Sequence, residues 1–346
     1  MPQFEYTQSF ALESGEHLSG FTLEYTVLGE LNAQANNVVW VCHALTANAH
    51  ADDWWEGLIG TGKIFDPAKH FIVCANMLGS CYGSTHALSV NPDTRVPYYH
   101  DFPLLTNRDI VRAFDLLRIS LNIKEIKLCI GGSLGGQQAM EWAIMQPDLI
   151  ENLVLLATNA KHSAWGIAFN ESQRMAITAD ATWKEKMPNA GMEGLKAARS
   201  IALLSYRNYG TYEATQVETA DGQKLDEFKA SSYQQYQGEK LQKRFNAFAY
   251  WTLSKAMDNH HVGRGRGDIQ TALGMIKAKT LVIGVDTDVL FPTHEQQLIA
   301  EHIPNACYYE VASLYGHDGF LIETEKITEI LYLIDYLNDT LSYLTI

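Results

Sequence analysis

Short apolar runs alternate with amphipathic segments near both ends of the chain. The runs are rich in aliphatic and β-branched residues, as buried parallel strands are, and they cover 38–42, 71–75, 126–130, 152–157, 280–285 and 307–311. From Ile110 to Leu117, apolar residues recur at i, i+3, i+4 and i+7. This spacing predicts a helix over 109–120 with one buried face, and a closing helix is predicted over 326–337. Strands interleaved with helices predict an α/β fold with a doubly wound, mostly parallel sheet.

The middle of the chain has a different pattern. From 162 to 267 there is no convincing buried strand, and stretches such as 194–206 are rich in Ala and Leu, which favours helix. Because α/β sequence resumes afterwards, we expect a helical insertion that caps one core. The predicted division is an α/β core of 1–161 and 268–346 with a cap of 162–267.

The composition indicates a folded chain and excludes some classes of binding partner. With 47% hydrophobic and 19% charged residues, the 346-residue chain can bury a large core. Its 26 basic and 40 acidic residues give a net charge of −14. Nucleic acids and anionic membranes bind clustered positive charge, so we expect neither as a partner.

Targeting signals are not indicated either. No Lys or Arg precedes Lys63, although eight acidic residues do, so a basic secretory or transit segment is not predicted. No apolar run reaches the roughly 18 residues of a membrane span. The five cysteines are odd in number and show no CxxC pairing, which favours a reduced, cytoplasmic protein over a secreted one with a free thiol.

The strongest chemical signal is Gly-Gly-Ser-Leu-Gly-Gly at 131–136, between the predicted strand 126–130 and a helical run over 137–145. This is the G-x-S-x-G pattern of a nucleophile elbow in its expected strand–turn–helix context. Small neighbours let Ser133 occupy a strained turn, and the following helix aims its N-terminal N–H groups at the site. We therefore predict that Ser133 is a catalytic nucleophile; a glycine turn that serves packing alone is the alternative.

A serine hydroxyl needs a base and an orienting acid, which follow the nucleophile in the order acid, then histidine. Of the twelve histidines, only His317 lies in a glycine-flanked loop after a late strand. The acid should lie at the carboxyl end of the strand 280–285, which leaves Asp286 and Asp288. Asp288 is preferred because it opens the turn 288–292 and can point back over the sheet.

Negative charge that develops on a substrate oxygen needs two backbone donors. One is the N–H of Leu134, directly after the nucleophile. The second is expected from the loop 43–46, after the first predicted strand, with Leu45 as the preferred donor. His43 in that loop is predicted to be structural and not a second base.

A metal site is not predicted. Two groups contain ligand residue types, namely His50 with Asp52 and Asp53, and His260 with His261. Neither has a ligand-rich spacing such as HExxH. Both are interpreted as ordinary polar loop residues.

These motifs together resemble the homoserine O-acetyltransferase family of the α/β-hydrolase superfamily. The resemblance extends over most of the chain and depends on the segments 43–46, 74–85, 131–136 with 141–143, 288–292 and 316–318. It implies the α/β-hydrolase fold and a step of methionine biosynthesis. In that family, an acyl group passes from acetyl-CoA to the enzyme serine and then to the hydroxyl of homoserine. Ser133, Asp288 and His317 would be nucleophile, acid and base, and acetyl-CoA a substrate, with no permanently bound cofactor.

The resemblance also implies substrate contacts. Arg199 matches the arginine that holds the amino-acid carboxylate, and Tyr206, two turns along the same helix face, matches its neighbour at the substrate. Asp318 matches the acid near the substrate ammonium. Without the resemblance, Arg199 and Tyr206 would be interpreted as part of a helix salt bridge and as a core tyrosine.

The chain departs from the family pattern near the expected acyl pocket. His86 and Ala87 stand where the family commonly has Gly-Pro, and Leu134 and Gln137 stand where methionine is frequent. Succinyl-CoA as donor and serine as acceptor therefore stay open. Further alternatives are an esterase, because the same triad works with water, and a non-catalytic binding relative. The apolar helices of the insertion favour a homodimer through the cap.

Overall fold

The structure, a computed structural model, describes residues 1–218 and 224–333. The strands in these ranges are β1 (Gln3–Tyr6), β2 (Phe10–Ala11), β3 (His17–Leu18), β4 (Phe21–Leu28), β5 (Val38–Cys42), β6 (Phe71–Ala75), β7 (Ile126–Gly132), β8 (Ile150–Leu156), β9 (Lys279–Val285) and β10 (Ala306–Val311). The helices are α1 (Ala51–Trp54), α2 (Asn107–Ser120), α3 (Leu134–Met145), α4 (Ala164–Ala179), α5 (Met192–Tyr206), α6 (Tyr209–Thr215), α7 (Lys229–Gln242), α8 (Ala247–Asp258), α9 (Ile269–Leu273), α10 (Thr293–His302), α11 (Gly319–Ile322) and α12 (Thr324–Leu333). Short 3₁₀ turns cover Tyr99–Asp101 and Gly316–Asp318.

Eight strands form one sheet in the order β1-β4-β6-β5-β7-β8-β9-β10, and β2 pairs with β3 separately. Neighbours from β6 to β10 run parallel, whereas β4 is antiparallel to β6 and β1 to β4. The predicted mostly parallel α/β sheet is therefore confirmed. The antiparallel strands at its edge were not predicted, because their alternating burial lacks the continuous apolar runs of the central strands.

The predicted elements differ from the observed ones mainly at their ends. β7 extends two residues further than predicted because Gly131 and Gly132 continue the ladder with β8. β8 ends at Leu156, since Ala157 has a φ of 43° and leaves the extended region. The closing helix is described as α12, and the part predicted beyond 333 lies outside the described residues.

Helices cover both faces of the sheet. On β5, Trp40 points to one face and packs edge-on against Trp142 of α3, with ring centroids 4.9 Å apart. Val39 and Val41 belong to the core of the opposite face, together with Ile327 of α12. This alternation follows from the two-residue period of a strand. It confirms the doubly wound arrangement.

Helices α4 to α8 lie between β8 and β9 in the chain. Arg174 of α4 is 1% exposed and pairs with Asp258 of α8 at 2.5 Å, which joins two of these helices through a buried charge pair. The end of α5 contacts the turn Gly316–Asp318. The division into a core (1–161 and 268–346) and a cap (162–267) stays a prediction. Within the described ranges, no helix is both long and apolar enough to span a bilayer.

Candidate active site

Ser133 lies at the bend between β7 and α3, with φ 57° and ψ −126°. This left-handed conformation is rare for a residue with a side chain. The bend is possible because its neighbours are small. A Cβ on Gly135 would lie 2.0 Å from the carbonyl oxygen of Cys42, and one on Gly131 would lie 2.3 Å from that of Gly135. The sequence pattern therefore produces the strained elbow directly.

Ser133, His317 and Asp288 form one hydrogen-bonded chain. The Ser133 Oγ lies 2.9 Å from His317 Nε2, and His317 Nδ1 lies 2.6 Å from Asp288 Oδ2. A carboxylate only accepts, so Nδ1 carries the hydrogen and Nε2 is left to accept the serine O–H. All three residues are buried. This is the arrangement that lets an imidazole remove a proton from a serine.

The acid is held by the turn that contains it. Asp288 Oδ1 accepts the N–H groups of Leu290 and Phe291 at 2.8 and 2.9 Å, which leaves Oδ2 for His317. The Phe291 ring stacks on the imidazole at 4.9 Å. Asp286, the other candidate, instead accepts the N–H of Ser313 at 2.9 Å. The structure thus brings Asp288 to His317 and uses Asp286 in a neighbouring loop.

Of the two predicted oxyanion donors, one directly follows the serine and the other lines the same cavity. Leu134 is the first residue of α3, so its N–H has no partner within the helix. Leu45 lines the same cavity as Ser133. The loop of Leu45 is anchored by His43, whose Nδ1 donates to the Ala44 carbonyl and whose Nε2 accepts the Met77 N–H. Burial lowers the pKa of His43 to about 4, so the ring is neutral and structural.

A cavity of about 340 Å³ opens above the serine. Its charged lining residues are Asp53, Arg199, Arg244 and Asp318. The Arg199 guanidinium lies 5.2 Å from the centre of the Tyr206 ring, which in turn lies 5.8 Å from that of His317. Burial raises the pKa of Tyr206, so its phenol is neutral at ordinary pH. The structure therefore brings Arg199, Tyr206 and Asp318 to the cavity that contains Ser133.

Two residues near the site were not predicted from the sequence. Arg207 binds Asp318 at 3.1 Å, which places a cation beside the predicted ammonium site. Arg244 follows α7 and donates to the Thr46 carbonyl, next to Leu45. Its only sequence signal is a basic residue at the end of a helix, which is commonly an exposed position.

For two of the residues considered as metal ligands, the structure shows a different setting. Asp53 lines the cavity, and His260 Nε2 donates to the Asn159 carbonyl at 3.0 Å. Over residues 1–218 and 224–333, no three His, Cys, Asp or Glu side chains are grouped so that they could hold a metal ion.

Comparison with known proteins places the chain in a family. The sequence profile of the α/β hydrolase fold matches residues 37–324. A homoserine O-acetyltransferase from Cyclobacterium marinum is 54% identical over 328 residues, which cover 95% of this chain and 93% of the relative. The chain belongs to the homoserine O-acetyltransferase family. The resemblance drawn from the motifs is thereby confirmed.

Solved structures agree with this family. A homoserine O-acetyltransferase from Staphylococcus aureus matches with a TM-score of 0.81 and 30% identity, over 98% of this chain and 96% of the other. The acetyl esterase MekB has a TM-score of 0.84 and 24% identity, over 97% of each chain. The second likeness shows only that the fold is shared.

Proposed function

We propose that this chain is a homoserine O-acetyltransferase of methionine biosynthesis, which moves the acetyl group of acetyl-CoA to the hydroxyl of L-homoserine through an acetylated Ser133. The observation that carries the proposal is the serine–histidine–aspartate chain beneath a cavity lined by Arg199, in a protein 54% identical to a homoserine O-acetyltransferase. Acetyl-CoA is a substrate, and no permanently bound cofactor takes part.

In the first half-reaction, His317 Nε2 takes the proton of Ser133 as its Oγ attacks the thioester carbonyl. The N–H groups of Leu45 and Leu134 receive the negative charge on the carbonyl oxygen, while Asp288 stabilises the imidazolium. The tetrahedral intermediate then breaks its carbon–sulfur bond. The thiolate of coenzyme A takes the proton from His317 and leaves.

In the second half-reaction, homoserine takes the place of coenzyme A. Arg199 binds its carboxylate, Asp318 its ammonium group, and Tyr206 supports the guanidinium through its ring. This holds the substrate hydroxyl near His317 and raises its effective concentration at the acyl carbonyl. The hydroxyl gives its proton to Nε2 and attacks, and the departing Ser133 Oγ recovers that proton.

A transferase must keep water from the acyl enzyme. We assign this role to the cap of residues 162–267, whose helix α5 contributes Arg199 and Tyr206. An acyl group enclosed between cap and core meets homoserine more often than water. The cap is also the proposed contact of a homodimer, as the apolar helices of the insertion favour. We place the reaction in the cytoplasm.

An esterase is the second candidate, since acetyl esterases share the fold. An amino-acid clamp of Arg199 and Asp318 has no use when water is the acceptor, which favours the transferase. Reactions with succinyl-CoA as donor or serine as acceptor would use the same triad. They would differ from the proposed reaction only in the group that the surrounding pocket binds.

The test measures free thiol released from acetyl-CoA by the purified protein, with and without homoserine. Homoserine should raise the rate at least about tenfold, and Ser133→Ala should abolish it. Succinyl-CoA and serine, each substituted in turn, test the alternatives. Equal thiol release with and without homoserine would show that water is the acceptor, and full turnover by Ser133→Ala would overturn the covalent route.

A further inference from the structure

The loop that supplies the Leu45 N–H is a tight turn that a distant arginine contacts. The Ala47 N–H donates to the Ala44 carbonyl at 3.0 Å, which closes a turn with Leu45 and Thr46 at its centre. The carbonyl of Thr46 accepts Arg244 Nη1. Arg244 lies between α7 and α8, in the segment proposed as the cap. A cation from outside the predicted α/β core therefore binds the last peptide of this turn.

The turn leaves the N–H of Leu45 available for a ligand. In the described part of the chain no group accepts this N–H, although Leu45 is 5% exposed and lines the cavity of Ser133. Buried backbone N–H groups are nearly always paired, so this one can receive a substrate oxygen. Its direction is set by the Ala44 carbonyl, because both belong to one planar trans peptide. That carbonyl accepts His43 Nδ1 at 2.9 Å as well as the Ala47 N–H.

Two peptides connect the guanidinium to the Leu45 N–H. Arg244 binds the carbonyl of the Thr46–Ala47 peptide, and the N–H of that peptide binds the Ala44 carbonyl. Each bond polarises the next, and the first donor carries a full charge. If the Thr46–Ala47 peptide rotated, its bond to the Ala44 carbonyl would be lost. The peptide that carries the Leu45 N–H would then be less firmly oriented.

Arg244 is itself held against the core. Its Nη1 also donates to the Tyr82 phenol oxygen at 2.5 Å. The next residue, Phe245, is 4% exposed, and its ring packs edge-on against that of Tyr82 with centroids 5.6 Å apart. The Tyr82 carbonyl accepts Asn76 Nδ2 at 2.6 Å, and Asn76 Oδ1 accepts the Ala49 N–H at 2.8 Å. The guanidinium is therefore fixed between two loops that follow β5 and β6.

We propose that Arg244 is a positioning residue for the oxyanion hole, which acts through Thr46 to direct the Leu45 N–H at the acyl oxygen. That oxygen becomes negative only when Ser133 attacks, so the contribution is made in the transition state and not in the bound substrate. The segment proposed as the cap then takes part in acylation as well as in binding homoserine. This inference depends on the proposed function, because it concerns the same acyl transfer.

The test measures the burst of p-nitrophenol from p-nitrophenyl acetate, an ester that lacks coenzyme A, in Arg244→Met and the wild type. Methionine has no donor for the Thr46 carbonyl. Loss of a whole oxyanion donor costs about 10² to 10³-fold. In Arg244→Met the Leu45 N–H stays but is less well directed, so we expect the burst rate constant to fall about 10 to 100-fold.

Two controls accompany this measurement. Lys243→Met removes the neighbouring exposed cation by the same change and should keep the burst rate within about twofold. In Arg244→Met, the KM for homoserine should stay within about threefold, because Arg199 and Asp318 are the residues proposed to bind that substrate.

A second measurement separates positioning from a merely structural role. Ser133 Oγ adds to the carbonyl carbon of trifluoroacetone, the serine proton passes to His317, and the hemiketal oxygen becomes negative. The adduct thus resembles the tetrahedral intermediate. Its affinity should fall in Arg244→Met by about the same factor as the burst rate constant, whereas half-saturation by p-nitrophenyl acetate should change less than about threefold.

An unchanged burst in folded Arg244→Met would overturn the inference and leave the proposed function intact. A rise in the KM for acetyl-CoA with a normal burst would also overturn it, since Arg244 would then be a coenzyme A contact. So would a slower burst with unchanged affinity for trifluoroacetone. If Arg244→Met fails to fold, Arg244→Gln, whose amide ends short of the Nη1 position, carries the same tests. Absence of a burst in the wild type would instead count against acyl-Ser133 itself.

Discussion

Replacing Asp288 by asparagine should disable the triad while leaving the surrounding turn in place. Two backbone N–H groups, from Leu290 and Phe291, point at Oδ1. In Asp288→Asn, the amide oxygen must take that position, because the NH₂ group would meet two donors. The NH₂ group then faces His317 Nδ1, where the carboxylate now accepts at 2.6 Å. The histidine must therefore present Nδ1 as an acceptor and carry its hydrogen on Nε2.

The magnitude follows from this reversed tautomer. With hydrogen on Nε2, the ring cannot accept the proton of Ser133, which lies 2.9 Å away. The imidazolium also loses its buried counter-charge. Together these effects should lower the acylation rate by about 10³ to 10⁴-fold, which corresponds to about 4 to 5.5 kcal/mol of transition-state stabilisation.

The assay is the pre-steady-state burst with p-nitrophenyl acetate, together with thiol release from acetyl-CoA. Asp286→Asn is the matched control, since Asp286 bonds to the Ser313 N–H and lies outside the triad. It should retain the rate within about threefold, because its Oδ1 can still accept as an amide oxygen. Thermal unfolding checks that both variants are folded. A folded Asp288→Asn with near-normal acylation, or a larger loss in Asp286→Asn, would refute the assignment of the acid.

Three further predictions concern the substrate clamp, the elbow and the carboxyl group of Glu295 in the first turn of α10. Arg199→Ala should raise the KM for homoserine by about 10 to 100-fold and leave the ester burst within about threefold, because the guanidinium binds only the second substrate. Lys196→Ala is the steady-state control, because Lys196 lies on the same helix α5 but pairs with Glu239 of α7. Gly135→Ala would place a Cβ 2.0 Å from the Cys42 carbonyl and should cost at least about 2 kcal/mol in urea unfolding, whereas Gly210→Ala, whose Cβ meets only side chains at 3.2 Å or more, should cost far less. Burial raises the folded-state pKa of Glu295 from its ordinary 4.5 to about 7, so the folded protein keeps a proton that the unfolded chain loses between these values. Wild-type stability should therefore fall relative to Glu295→Gln as pH rises from 4.5 to 7, by about 1 to 2 kcal/mol after allowance for the partial exposure of the carboxyl. Equal pH dependence of the two unfolding curves would contradict that sign.

The elbow and the central strands of the sheet could be predicted from local sequence alone. Ser133 could be predicted because its constraint lies within six consecutive residues and between a strand and a helix. His317 and Asp288 followed from the order in which this fold supplies acid and base. The apolar runs marked β5 to β9 because these central strands are buried along most of their length, whereas β1 and β4 lie at one edge of the sheet and have no such run. β10 was predicted from its apolar residues, although it forms the other edge and is mostly half-buried or exposed.

The parts that could not be predicted depend on contacts between distant segments. Arg207 meets Asp318 across 111 positions of the chain, and nothing near either residue indicates the pair. Three hydrogen bonds join side chains from four separate segments, namely Asn107, Gln137, Asn159 and Glu295. The sequence around each residue does not indicate its partners. From the sequence, Gln137 was only a departure from the family pattern. Its hydrogen bonds with Asn107 and Asn159 explain physically why an amide and not methionine stands there.

Ser133 is proposed to carry the acyl group between the two substrates. Intact-mass spectrometry of the protein after mixing with acetyl-CoA detects such an acyl enzyme. We expect a mass increase of one acetyl group, located on Ser133 by peptide mapping and absent from Ser133→Ala. The increase should be lost when homoserine is added, with O-acetylhomoserine as the product. Product formation at full rate with no adduct at any time, or an adduct on another residue that homoserine removes, would contradict it.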